Sequence, residues 1–151
     1  MHYLAQFCES NYLPLLIRYG PGINIPDNHG RTALHNAALL GRKKMTKSLL
    51  AMGAISVVKD NGHCSPIHHA AMGNYNDIVE LLLDYGVHVD ELDVVGRTSL
   101  HIAVVMGNEK LVSLLLRWGA NAHMADGLGL TPLQWAEKLK RHQILKHFED
   151  L

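Results

Sequence analysis

Asp27, Asp60, Asp93 and Asp126 stand 33 residues apart, and each opens a similar run: Asp27-Asn-His-Gly-Arg-Thr-Ala-Leu-His35, Asp60-Asn-Gly-His-Cys-Ser-Pro-Ile-His68, Asp93-Val-Val-Gly-Arg-Thr-Ser-Leu-His101 and Asp126-Gly-Leu-Gly-Leu-Thr-Pro-Leu-Gln134. Gly20, Gly53, Gly86 and Gly119 recur at the same interval, each behind an apolar cluster. Several independent columns at one period restrict the chain to a stack of similar units, since one unit of this size cannot bury its apolar face alone.

Each column has a physical meaning. Thr32, Ser65, Thr98 and Thr131 carry hydroxyls suited to a helix N-cap, and Pro66 and Pro132 follow where a first-turn proline costs no hydrogen bond. The spacing then predicts a short helix burying Leu34, Ala37 and Ala38, with Ile67, Ala70, Ala71 and Leu100, Ala103, Val104 as equivalents. Gly41 and Gly107 end it where a left-handed residue is wanted, and Asn74 fills that place in the next unit. A second helix follows, with Met45, Leu49, Leu50, or Ile78, Val79, Leu82, Leu83, or Leu111, Val112, Leu115, Leu116 on its buried stripe. The unit is turn, helix, turn, helix, loop.

This pattern resembles the ankyrin-repeat family over nearly the whole chain: it has that family's 33-residue period, and its Thr32-Ala-Leu-His35, Ser65-Pro-Ile-His68, Thr98-Ser-Leu-His101 and Thr131-Pro-Leu-Gln134 each depart from the Thr-Pro-Leu-His signature at one or two places. Residues 27–59, 60–92 and 93–125 read as full repeats, 126–151 as a C-terminal capping repeat and 1–26 as a degenerate first repeat, together one domain over 1–151. The resemblance implies an all-α solenoid of stacked helix-turn-helix units with hairpin-like loops, binding partners on a concave face of turn tips and first helices. Departures are local. His63 stands in the Gly30 column and Lys140 in the Gly41 column, while Val57 and His123 replace the loop Asn or Asp kept at Asn24 and Asp90.

Composition narrows the function. Lys plus Arg and Asp plus Glu are 14 each, so the chain lacks the net basic field of a dedicated nucleic-acid binder, and no nucleic-acid partner is expected. Cys8 and Cys64 alone do not make a disulfide scaffold and fit a reducing compartment. No apolar run reaches the roughly 18 residues that span a bilayer, and Met1-His2-Tyr3-Leu4 does not begin a secretory signal. The expectation is an intracellular protein, cytoplasmic or nuclear, without membrane insertion.

Eleven histidines invite a metal or catalytic reading. His35, His68 and His101 share one repeat column, however, which points to structural bonds tying adjacent units. His68-His69 diverge on a helix, and His142 and His147 are poorly spaced for one face. No His-Glu-x-x-His or Cys-x-x-Cys is present, and Cys64 beside His63 and His68 fills a turn column without oxyanion donors. No cofactor, metal or enzymatic activity is expected. Trp135 reads as a core filler near the C-terminal cap. Residues 42–59 carry only basic charges and 77–93 only acidic ones. The two runs suit either pairing between adjacent repeats or a bipolar surface that orients a partner.

The variable columns supply the site. First helices end in Leu39-Leu40, Met72-Gly73, Val105-Met106 and Lys138-Leu139, and the later turn tips add Val94, Val95, Leu128 and Leu130. Apolar residues in register mark an interaction strip. Arg31, Arg97 and His63 are expected at its rim, and an amphipathic helix or extended peptide of another protein is the expected occupant. The alternative is a self-associating or structural solenoid fragment of a larger scaffold, suggested by Leu4, Phe7, Tyr12 and Leu13 at the N-terminal end.

Overall fold

The computed structural model describes residues 22–149 as eight α-helices, with no strand among them. They fall into two compact units, 22–87 and 88–149. The first unit holds α1 (Ala33–Leu39), α2 (Lys43–Ala51), α3 (Pro66–Met72) and α4 (Asn76–Asp84). The second holds α5 (Ser99–Met106), α6 (Glu109–Arg117), α7 (Pro132–Lys138) and α8 (His142–Glu149). The proposed first repeat, with Leu4, Phe7, Tyr12 and Leu13, lies almost wholly outside the described residues.

At seven to nine residues these helices are too short to persist alone. Capping and packing sustain them. Thr32, Ser65, Thr98 and Thr131 are N-caps in extended conformation, each within a reciprocal capping box. Its third member is His35, His68 or His101 in three repeats and Gln134 in the fourth. Gly41 and Gly107 take φ of 67° and 73° after the first helices of their repeats, and Asn74 and Lys140 hold the same left-handed conformation at 59° and 54°. His63 does likewise at 55° in the turn where Gly30 stands in the preceding repeat.

Inside the first unit α1 packs on α2 and α3, while α4 packs on α2 and α3. Leu34, Ala37, Ala38, Ile67, Ala70 and Ala71 are wholly buried, as are Leu49, Ile78, Val79 and Leu82 on the second helices. The alanines permit close approach of the first helices; a larger side chain there would overpack by about 1–3 kcal/mol. The second unit repeats the scheme, with α5 on α6 and α7, and α8 on α6 and α7. Leu100, Ala103, Val104, Leu111, Val112 and Leu115 form its core. Leu116 corrects the expected stripe: it is half-exposed at the margin of α6, and Leu114 is buried instead.

Candidate partner-binding face

Each turn tip is built around its aspartate. Asp27 Oδ1 accepts the backbone N–H of His29 and Arg31 at 2.8 and 2.9 Å. Asp60 receives Gly62 and Cys64, Asp93 receives Val95 and Arg97, and Asp126 receives Leu128 and Leu130. Burial alone raises these carboxyl pKa values, but the bonds from backbone and side chains outweigh it and hold all four below the ordinary range. The two or three residues directly after each aspartate are therefore exposed on a fixed tip, and the one before the cap is half-buried.

Adjacent tips within a unit are joined through the main chain. Asn61 N–H donates to His29 O at 2.9 Å in the first unit, and Gly127 N–H to Val95 O at 2.7 Å in the second. The second join leaves no room for a side chain, since a Cβ on Gly127 would meet Val95 O at 2.7 Å. The loops behind the second helices are tied as well: Asn24 Oδ1 accepts from Ile55 N–H and Asp90 Oδ1 from Asn121 N–H.

The capping histidines reach further than their own helix. His35 Nδ1 accepts Thr32 N–H at 3.1 Å, while Nε2–H donates to Cys64 O in the next repeat at 3.1 Å. His101 does the same with Thr98 N–H and Leu130 O. This bears out the structural reading of that column and adds the local half of the bond pattern. Burial lowers the pKa of both rings, more than the carbonyl contacts raise it. The imidazole hydrogen bonds of His35 and His101 are thus consumed by the scaffold.

On this frame the first unit places Leu40 exposed and Leu39 and Met72 half-buried at the ends of α1 and α3. His63 is exposed on its turn, and Arg31 is half-buried, with Nε 3.5 Å from Asp27 Oδ2. In the second unit the tips expose Val94 (63 %) and Leu128 (74 %), with Val95 beside them, and the first helices expose Met106 (46 %) and Leu139 (38 %). Val105 and Leu130 are half-buried. Arg97 points back to the scaffold, its Nε donating to Asp93 Oδ2 at 2.8 Å.

One feature went unread in the sequence and a second differs from its expected role. Arg141 Nη2 donates to Val105 O at 3.0 Å, and its guanidinium covers Gly107, where a Cβ would meet it at 3.0 Å. Arg141 shares a 33-residue column with Tyr75, whose ring lies against Gly41 and Gly73 in the first unit; the paired glycines were the available signal. Trp135 is the second. It is half-buried rather than a core filler, because its indole N–H is committed to Asp126 Oδ2 at 2.7 Å and Lys138 Nζ lies 5.0 Å from the ring centroid.

Among the described residues no group of three or more His, Cys, Asp or Glu is placed to hold a metal, and no helix is long and apolar enough to cross a membrane. Helix pairs capped and joined in this manner define a helical-repeat protein. The chain belongs to the ankyrin-repeat family: the model for three ankyrin repeats matches residues 53–126, and that for a single ankyrin repeat matches 29–55. Two ADP-ribosylation factor GTPase-activating proteins of Arabidopsis thaliana, AGD4 and AGD2, are 38 % and 37 % identical to it over 65 residues. The matched stretch is 43 % of this chain and 8 % of each relative.

Proposed function

We propose that the chain is a non-catalytic protein-binding module, an adaptor that takes a segment of a partner protein on the face formed by its turn tips and first-helix ends. The observation that carries this reading is the set of exposed apolar side chains in the second unit: Val94, Val95, Met106, Leu128 and Leu139. Val94, Val95 and Leu128 project from turns whose backbone is held by Asp93 and Asp126, and Met106 and Leu139 stand at the ends of the first helices. Apolar residues clustered on such a frame give binding energy to an amphipathic helix or extended peptide, and Met106 adapts to an irregular partner surface. The first unit, taken by itself, presents Leu39, Leu40 and Met72 at the equivalent positions, with His63 at its rim. Arg31 in the first unit and Arg97 in the second act at the rims of their own units through the methylenes of side chains already paired with aspartate. The likeness to the GTPase-activating proteins covers 8 % of their length, so it supports the repeat and not their activity.

The experiment compares partner capture by the wild-type chain with capture by Val94→Asp/Leu128→Asp, both exposed positions, and by Val105→Glu/Met106→Glu. Circular dichroism reports whether each variant is folded. Loss of the captured set in the folded variants is the expected result; a folded variant that captures the same set rejects this face. Sedimentation of the wild-type chain at micromolar concentration checks the self-associating scaffold, which requires a dimer or larger species.

A further inference from the structure

The second helices of the second unit and the residues just before α8 carry cations that face no carboxylate, although one of them, Arg141, donates to Val105 O. A groove of about 520 Å³ runs along α6 and α8, lined by Glu109, Lys110, Ser113, Arg117 and His147. A second depression of about 420 Å³ shares Glu109 and is lined by Lys140, Arg141 and His142 over the buried Ile144. The one carboxylate of the pair of grooves is already engaged, Glu109 Oε1 lying 3.3 Å from His147 Nε2. Among the described residues no carboxylate comes within ion-pair distance of Lys110, Arg117, Lys140 or Arg141. Arg31, Arg97 and Lys43, by contrast, all face an aspartate.

We propose that these two grooves are a docking surface for an acidic peptide segment, separate from the apolar face. Charge complementarity selects the occupant: four cations without a carboxylate partner line the two depressions, with the Ser113 hydroxyl to orient a carboxylate. Lys110 and Arg117 are seven residues apart on α6, a rise of about 10 Å. An extended peptide with acidic residues three apart matches that interval, at about 3.1 Å per residue. A nucleic acid or an anionic bilayer fits less well. The dense phosphate charge of either is held by a wide basic field, and the chain as a whole carries no net charge.

The test uses a fluorescent 12-residue peptide with Glu at every third position, titrated into the full chain at low and at physiological salt. Saturable binding that weakens with salt is expected, with at least a tenfold loss in Lys110→Glu/Arg117→Glu and in Lys140→Glu/Arg141→Glu, and none in Val94→Asp/Leu128→Asp. Circular dichroism and the urea midpoint establish that the variants fold. Absence of binding by the wild-type chain, or binding unchanged in both folded charge-reversal variants, overturns the proposal. So does tighter binding of a duplex oligonucleotide or of phosphatidylserine vesicles than of the peptide.

Discussion

Trp135 donates its indole N–H to Asp126 Oδ2 at 2.7 Å, and His69 reaches Asp60 Oδ2 across the same distance from the same place in its repeat. The donor stands nine residues after the aspartate in both cases. In the first described repeat Asn36 takes that place and bonds Asp27. The third puts Ile102 there, which has nothing to donate, and Arg97 supplies the bond to Asp93 from within the turn. One carboxylate oxygen thus organises the turn backbone while the other takes a donor from the helix or the turn.

Trp135→Phe should therefore destabilise the chain by about 1–2 kcal/mol, since it leaves a buried carboxylate oxygen short of a donor and trims a half-buried ring. Trp135→His should recover part of the loss by copying the His69–Asp60 pair. Urea midpoints at pH 7 measure both; equal stability of the Phe variant and wild type contradicts the role given to the indole.

Why the aspartate partners escaped the sequence is clear from the column itself. Asn36, His69, Ile102 and Trp135 share no hydropathy and no size, and what unites three of them is a donor at fixed reach of an acid nine residues back. Periodicity in apolarity reports burial and not this pairing. The caps, by contrast, were legible because Thr or Ser at the cap and His three residues on recur by identity. So were the left-handed positions, where Asn74 and Lys140 sit in a glycine column. The apolar tips were legible as residues, but Arg97 was expected at a rim and the structure ties it to Asp93, because residue identity does not tell which carboxylate an arginine will find.

Arg97→Ala should cost more than Arg31→Ala. Asp93 has only Arg97 as a side-chain donor among the bonds described, with both Nε and Nη2 at 2.8 Å, whereas Asp27 keeps Asn36 and sits 3.5 Å from Arg31 Nε. Losing the charge-assisted pair at a buried carboxylate costs about 1.5–3 kcal/mol, and losing the longer contact about 0–1 kcal/mol. Thermal midpoints of the two single variants decide it, and the reverse order would show that Arg97 is dispensable to its turn.

Ser99 opens α5, and its Oγ is buried without a hydrogen-bond partner. The same column holds Ala33, Pro66 and Pro132. Ser99→Ala removes an unsatisfied hydroxyl and should raise stability by about 1 kcal/mol. A urea midpoint that falls instead would mean that the hydroxyl has a partner in solution.

Stability should also fall as the solution is acidified below pH 6.5, before any carboxylate titrates. His35 and His101 have folded pKa values lowered by burial, so between the unfolded value near 6.5 and the folded value the unfolded chain binds more protons than the folded one. Their contribution is complete above the unfolded value and is lost as pH drops through that window. The four turn aspartates, also lowered, add their own loss only below about pH 4, the unfolded value for that residue. Burial is the main cause for the histidines, and the bond pattern acts in the same direction: Nδ1 accepts a backbone N–H, and a proton there would set two donors face to face. His101→Gln separates the two halves of the argument, because Gln134 already makes the capping bond at the matching place, its Oε1 accepting Thr131 N–H at 2.9 Å. The variant should lose about 1 kcal/mol at pH 8, where the Nε2–H bond to Leu130 O is gone, and lose less than wild type between pH 6.5 and 5. Parallel slopes for the two proteins over that interval would remove His101 from the acid response.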